Sequence, residues 1–175
     1  MKTLYLFRHC KSDWSADFQR DFDRPLNERG RDDAPMMCDI LKSLISPAET
    51  HVSVSPAVRT RQTIEPLLKN WSAERKALID WNENLYESGL NAYLDVIRKT
   101  PDSADSLLIV GHNPSIQDTT EFLVSGHRLD ELVHVATGTI LCLTLGIRNW
   151  KQTNADHAII RWMLTPRIVK KIKSL

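Results

Sequence analysis

Apolar positions along the 175-residue chain fall into two alternating patterns. Short uninterrupted apolar runs at residues 4–7 (Leu-Tyr-Leu-Phe) and 107–110 (Leu-Leu-Ile-Val) are followed at once by polar residues, Arg8-His9 after one and Gly111-His112-Asn113 after the other. Runs of this length predict buried strands. Weaker strand signals occur at residues 51–54, 140–145 and 158–164, the last two joined by residues 146–156 as a hairpin or a sheet edge. Between the strands the spacing becomes helical. Ala34, Met37, Cys38, Leu41, Leu44 and Ile45 recur at intervals of three and four, as do Ile64, Leu67, Leu68 and Trp71, and then Leu90, Tyr93, Leu94 and Ile97. Each set lines one face of a helix. Ser55-Pro56 before the second set predicts an N-cap followed by proline at the first helical position, and Pro66 inside it predicts a kink. A further helix is expected over 115–124, and residues 23–27 read as a turn.

Strands alternating with helices of about ten residues or more predict a single α/β domain over residues 1–175, a three-layer sandwich with a mostly parallel central sheet flanked by helices. A chain of this length buries roughly 70% of the surface its unfolded form exposes, so it needs neither disulfides nor structural metal. Sheets of this class bind ligands outside the carboxyl ends of their strands. Both polar strand ends, Arg8-His9 and His112, belong at that edge.

Composition narrows the chemistry by exclusion. Lys plus Arg number 23 against 22 Asp plus Glu, a net charge of +1 with the signs interleaved, which argues against nonspecific nucleic-acid binding. Cys10, Cys38 and Cys142 are odd in number and irregularly spaced, suggesting neither a disulfide framework nor a zinc site and fitting a reducing, cytoplasmic setting. The longest stretch without formal charge, residues 132–147, contains glycine, histidine and threonines and is no membrane span. The apolar run at residues 4–7 is too short for a signal-peptide core. Arg167, Lys170, Lys171 and Lys173 near the C-terminus read as a solvated basic end.

Three features carry candidate chemistry. Arg8 and His9 end one predicted strand, and His112 ends another. Arg59 and Arg61 lie in the first turns of the helix after Ser55-Pro56, where the helix dipole disfavours cations unless an anion sits between them. Helix N-termini bind phosphate, and arginine offers a bidentate fork, so at least one of Arg59 and Arg61 is expected to clamp a phosphoryl group together with Arg8. His9-Cys10 invites comparison with cysteine phosphatases, but the arginine their phosphate loop requires is replaced by Ala16. The chain contains no GxxxxGK[ST], GxGxxG, HExxH, GxSxG or DxDxDG pattern.

Arg8-His9 at the end of a first strand resembles the Arg-His-Gly signature of the histidine phosphatase superfamily, whose fold is phosphoglycerate-mutase-like. Ser55-Pro56-Ala57-Val58-Arg59-Thr60-Arg61-Gln62-Thr63 is similar to its second arginine motif, and Gly111-His112-Asn113-Pro114 to its second histidine motif. The finer resemblance is to the SixA-type phosphohistidine phosphatases. It extends through Arg8-His9-Cys10-Lys11-Ser12-Asp13-Trp14, Asp23-Arg24-Pro25-Leu26-Asn27-Glu28-Arg29-Gly30, Leu85-Tyr86-Glu87 and Ala136-Thr137-Gly138, nearly the whole chain. Cys10 departs from the signature glycine. A modest change in backbone freedom is expected there, and a thiol activated by nearby arginines only if it is not a buried filler.

What the resemblance implies is a covalent mechanism without metal or cofactor. His9 attacks phosphorus, Arg8, Arg59 and His112 hold the equatorial oxygens, and water releases inorganic phosphate. Glu87, in a Leu-x-Glu segment, is the implied proton donor, and Ser12 an implied phosphate contact. Lys11 and Arg61 are expected at the pocket mouth and Trp14 at its border. His51, His127, His134 and His157 fit no motif. Only 53 positions separate Arg59 from His112, too few for a sizeable lid, so an open site acting on a phosphohistidine-bearing protein is expected. A small-molecule phosphatase or mutase of the same superfamily, and a catalytically weak phosphoprotein-binding module, are the alternatives. No nucleic-acid or membrane partner is expected, and a monomer is.

Overall fold

The computed structural model describes residues 1–127 and 133–175. The first residue of the uncharged stretch 132–147 therefore lies outside the described residues. Six strands form the central sheet: β1 (Lys2–Arg8), β2 (Thr50–Val54), β3 (Asp80–Trp81), β4 (Ser106–Gly111), β5 (Ile140–Leu145) and β6 (Ala158–Leu164), in spatial order β3-β2-β4-β1-β5-β6. The β3-β2, β2-β4 and β4-β1 pairings are parallel, whereas β1-β5 and β5-β6 are antiparallel, so β5 alone runs against the rest. The sheet is mostly parallel, as expected, and β5-β6 forms its far edge.

Side chains alternating along β1 explain the three layers. Tyr5 and Phe7 face a cluster with Met37, Cys38 and Leu41 of α1 (Glu28–Leu44), Ile64 and Leu67 of α2 (Val58–Leu68) and Val169 near the C-terminus. Leu4 and Leu6 face the opposite cluster, with Tyr93, Leu94 and Ile97 of α4 (Leu90–Lys99), Ile116 and Leu123 of α5 (Ser115–Ser125), and Trp150. The short α3 (Ala73–Ala77) leads into β3. Side chains of both clusters are almost wholly buried, and burying each such side chain contributes about 1.5–3 kcal/mol.

Several expectations need correction. Helix α2 begins at Val58 with Ala57 as its N-cap, two residues beyond the expected Ser55, because the Ser55 hydroxyl is bonded elsewhere. Residues 73–77 and 80–81 escaped prediction because one turn of helix and a two-residue strand carry no readable period. The basic end is helical and docked, although Arg167, Lys170, Lys171 and Lys173 themselves remain exposed as expected. Residues Pro166–Lys173 form α6, capped by the Thr165 hydroxyl, which accepts from the Ile168 N–H at 3.3 Å. Lys170 reaches the buried Asp33 of α1 at 2.6 Å, and Val169 enters the core. No helix among the described residues is long and apolar enough to cross a membrane.

The strand ends are held in lateral register. The His9 N–H donates to the Gly111 carbonyl at 3.0 Å, the Ser55 N–H to Val110 at 2.9 Å and the Arg8 N–H to Thr139 at 3.0 Å. Gly138 closes this edge: its N–H bonds both the Arg8 and His9 carbonyls, at 3.2 and 3.0 Å, with φ +76°. A Cβ there would come 2.7 Å from Pro166 of α6, so only glycine suits the position.

Candidate active site

The carboxyl ends of β1 and β4 deliver Arg8-His9 and His112 to one cavity of about 340 Å³, and Ser55, just beyond β2, is buried behind His112. His9 is 7% exposed. Its Nδ1 lies 2.7 Å from the Cys10 carbonyl, which can only accept, so Nδ1 carries the proton and the lone pair sits on Nε2. Burial first, then the neighbouring His112, holds the ring well below the ordinary histidine range, with the Arg59 and Arg8 charges acting in the same direction and the Cys10 carbonyl opposing. The imidazole is therefore neutral at neutral pH, the form a nucleophile requires.

His112 stands with its ring centroid 5.2 Å from that of His9. Its Nε2 lies 2.8 Å from the Ser55 hydroxyl, and its backbone N–H donates to the Tyr93 hydroxyl at 3.0 Å. Burial, followed by the Arg59 charge, pushes its pKa down to about 3. The Tyr93 hydroxyl donates onward to the Leu85 carbonyl at 3.3 Å, so one buried phenol ties His112 to the segment that carries Glu87.

Arg8 and Arg59 are both fixed at one end. Arg8 Nη1 donates to the Val135 carbonyl at 2.6 Å, and Asn113 Nδ2 shares that acceptor at 3.1 Å. Arg59 Nη1 and Nη2 donate to the carbonyl and carboxylate of Asp21, at 2.7 and 2.9 Å. Arg8 Nε, Arg59 Nε and His112 Nδ1 are buried and find no hydrogen-bond partner in the protein. Unpaired buried polar atoms cost about 1–3 kcal/mol each, and His112 Nδ1 is a third donor in the tautomer whose Nε2 accepts from Ser55, so these atoms lining one cavity mark the place of an anion.

Of the other expected residues, Glu87 lines the cavity from an exposed position, with φ 45°, a left-handed conformation unusual for a residue with a side chain. Its Oε1 lies 3.1 Å from the Tyr86 hydroxyl, whose one proton is shared between Glu87 and Asp21. Ser12 lines the cavity, but its hydroxyl accepts from the buried guanidinium of Arg24. Lys11 and Trp14 stand at the rim. Arg61 does not. Its guanidinium stacks over Trp81 at 4.3 Å, and its Nε donates to the Pro56 carbonyl, in a separate groove of about 850 Å³ between α1 and α2. Two residues beyond Arg59 on α2, it points in a different direction from that side chain. Cys10 is fully buried, and burial pushes its thiol far up, so the filler reading holds over the activated one.

Asp21 and Arg24 were not legible as site residues. Asp21 bonds Arg24 Nε at 2.9 Å, Arg59 Nη2 and the Tyr86 hydroxyl, and Arg24 stacks on Trp14 at 3.6 Å. Both come from the connection between β1 and α1, where only the i, i+3 spacing of opposite charges hinted at a pair. Among the described residues no cluster of histidine, cysteine or carboxylate side chains is arranged to hold a metal ion.

The family profile of the histidine phosphatase superfamily (branch 1) matches residues 4–106, from β1 into β4 and through both arginine motifs. The chain belongs to the histidine phosphatase superfamily. Similarity to solved structures extends over 94–95% of the chain. The protein assigned as the phosphohistidine phosphatase SixA in Agrobacterium tumefaciens superposes with a TM-score of 0.72 at 25% identity, covering 94% of this chain and 98% of that one. The corresponding protein of Nakamurella multipartitia gives the same score and identity, with 94% and 96% covered. A SixA protein histidine phosphatase complexed with tungstate shares the fold, with a TM-score of 0.76 at 22% identity over 95% and 99% of the two chains. In sequence, an uncharacterized protein of Picosynechococcus is 31% identical over 73% of this chain and 78% of its own length. An uncharacterized chloroplastic protein of Arabidopsis thaliana is 30% identical over 70% of this chain; the match spans 59% of that longer relative.

Proposed function

We propose that the protein is a phosphatase working through a phosphohistidine intermediate at His9, and that its substrate is phosphohistidine in another protein. The observation that carries the reading is a neutral, buried His9 with Nε2 free, in one cavity with two guanidinium N–H groups and a ring nitrogen of His112 that are buried and lack partners. In the first step the Nε2 lone pair attacks phosphorus and the bond from phosphorus to the leaving group breaks, the leaving group keeping the bonding electrons. In the second, water attacks the phosphorus on His9, inorganic phosphate departs and Nε2 regains its lone pair. The transition state spreads charge over three equatorial oxygens. Arg8 Nε and Arg59 Nε supply donors for them, as does His112 Nδ1 when its Nε2 accepts from the Ser55 hydroxyl, and preorganised donors of this kind contribute roughly 2.7–4 kcal/mol each.

Glu87 serves as proton donor where the leaving group is an alkoxide. An imidazole leaving group can be protonated beforehand and asks less of it. The cavity is bordered by short elements, with no long segment folded over it among the described residues, which suits a macromolecular substrate. The SixA names of the structural relatives point to the same substrate class. A reducing compartment suits the three cysteines, all buried and unpaired.

The test is initial phosphate release, with EDTA present, from a phosphohistidine-bearing protein against sugar phosphates, 3-phosphoglycerate and a phosphotyrosine peptide. Preference for phosphohistidine supports the reading. Preference for a small ester overturns the substrate assignment, and no turnover on any of them makes the protein a phosphate-recognition module.

A further inference from the structure

Asp21 is an unexpected group to find in a phosphoryl pocket, since the phosphoryl group it would share the cavity with is itself an anion. Its carboxylate is held from several sides. Oδ1 accepts from Arg24 Nε at 2.9 Å, and Oδ2 accepts from Arg59 Nη2 at 2.9 Å and from the Tyr86 hydroxyl at 3.2 Å. Burial alone would raise this carboxyl, but the Arg24 hydrogen bond and the charges of Arg59 and Arg24 outweigh it and keep it below the ordinary carboxylate value. It is therefore ionised at neutral pH and cannot donate a proton to a leaving group.

Position decides what such a charge does. The Asp21 side chain is 34% exposed, whereas those of Arg59 and Arg24 are 6% and 7% exposed and His9 is equally deep. The carboxylate thus stands on the outer side of the cations, between the cavity floor and solvent. Tyr86 places Glu87 beside it, because one phenol hydroxyl reaches both carboxylates, at 3.2 and 3.1 Å. Both carboxylates, together with Lys11, Trp14, Asn113 and Thr137, line the cavity through which a ligand with its phosphoryl group against His9 leads the remainder of its structure out. Arg24 is no counterweight there, being covered by Asp21, Ser12 and Trp14. Lys11 also borders the cavity, but it is exposed.

We propose that Asp21 is a specificity-determining carboxylate: it excludes phosphate compounds whose leaving group bears an acidic substituent and admits those with neutral or cationic leaving groups, imidazole among them. The inference rests on the phosphatase reading in taking the cavity as a phosphoryl site. A merely structural Asp21, needed only to hold Arg59, would affect all phosphoryl ligands alike. A charge filter discriminates among them by what lies beyond the phosphorus.

Calorimetric binding of two non-hydrolysable ligands separates these roles. Phenylphosphonate carries a neutral tail and 3-phosphonopropionate a carboxylate. Wild-type protein should prefer the former. Asp21→Asn keeps the shape and removes the charge, and should move the ratio of the two dissociation constants toward the carboxylated ligand by about tenfold, the order expected for like charges several ångströms apart near a protein surface. Asp21→Glu should retain the preference, and Asp23→Asn, an exposed carboxylate paired with Arg20 outside the cavity, should leave it unchanged. In the wild type, raising ionic strength from about 0.01 M to about 1 M should narrow the preference, a measurement independent of any variant's folding.

Equal weakening of both ligands by Asp21→Asn, or a wild-type preference insensitive to salt, overturns the inference. Absence of binding by either phosphonate overturns it together with the phosphoryl site. Failure of the phosphatase reading alone looks different: the phosphonates bind with the expected selectivity, yet no substrate turns over.

Discussion

The hydroxyl of Tyr93 accepts a hydrogen bond from the backbone N–H of His112 at 3.0 Å, through space that any side chain on Gly111 would occupy. Tyr93 lies on α4 and is fully buried, so its partner has no access to water. Tyr93→Phe removes the acceptor and leaves that N–H unpaired, which should cost about 1–3 kcal/mol in urea denaturation. Turnover should fall as well, because the same hydroxyl anchors the segment ahead of Glu87. Unchanged stability would mean the phenol contributes packing alone.

His9 and His112 should be separable by kinetics. His9→Ala should lower turnover about a thousandfold or more and abolish the labelled phosphoenzyme recovered after rapid quenching from a phosphoryl donor. His112→Ala should lower kcat about 10²–10³-fold, as for loss of one oriented donor, while still forming the labelled intermediate. Label persisting in His9→Ala would place the nucleophile elsewhere.

Acid should destabilise the folded chain through the same two rings. Both have pKa values held below the ordinary 6.5, to about 3 for His112, because burial penalises the imidazolium. Between those values the unfolded state binds more protons than the folded one. Stability therefore rises with pH across that window and is lost as pH falls through 6.5. The thermal midpoint in an oxyanion-free buffer should drop between about pH 7.5 and about pH 5, and drop less in the His9→Gln/His112→Gln double variant. Phosphate should oppose the drop by pairing with the rings and arginines.

Helix α6 should be a required part of the domain. Asp33 is 1% exposed and is paired with Lys170 at 2.6 Å and with Arg29 at 3.5 Å. Lys170→Ala should cost about 1–3 kcal/mol, less than a fully buried pair because the lysine head is half exposed. Chemical denaturation would measure it, and Lys170→Arg should recover most of the loss.

Cys10 should resist alkylation in the native protein. It is adjacent to His9 yet fully buried, and its thiol is raised by burial first and then by Cys38 and Asp33. Thiol titration should therefore detect it only on unfolding, with or without bound phosphate. Rapid native-state labelling that abolishes turnover would show an accessible thiolate.

The strands and long helices were legible in the sequence because each carries a period of its own. Apolar runs at residues 4–7 and 107–110 became β1 and β4, and the spacings beginning at Ala34, Ile64 and Leu90 became the buried faces of α1, α2 and α4. Elements without room for a period, α3 and β3, left no signal. The α6 pattern was present, but its burial depended on Asp33, which lies more than 130 residues earlier in the chain.

The site divides along the same line. Arg8, His9, Arg59 and His112 stand at strand ends or in a first helical turn, positions that local pattern places at one edge of a parallel sheet, and the structure brings all four to one cavity. Asp21, Arg24, Ser55 and Tyr93 entered it only through contacts between segments far apart in sequence: Asp21 with Arg59, Ser12 with Arg24, Ser55 with His112, Tyr93 with the His112 backbone. The exclusion of Arg61 belongs with them, since residues two apart on a helix point in different directions and only the docking of α2 decides which one faces the site. Sequence by itself determined the strands, the main helices and which histidines and arginines stand at the strand ends and the first helical turn, because these depend on local periodicity and residue chemistry. Tertiary structure alone decided protonation, the pairing of each donor and the charge at the cavity mouth, because burial and distance exist only once the layers have packed.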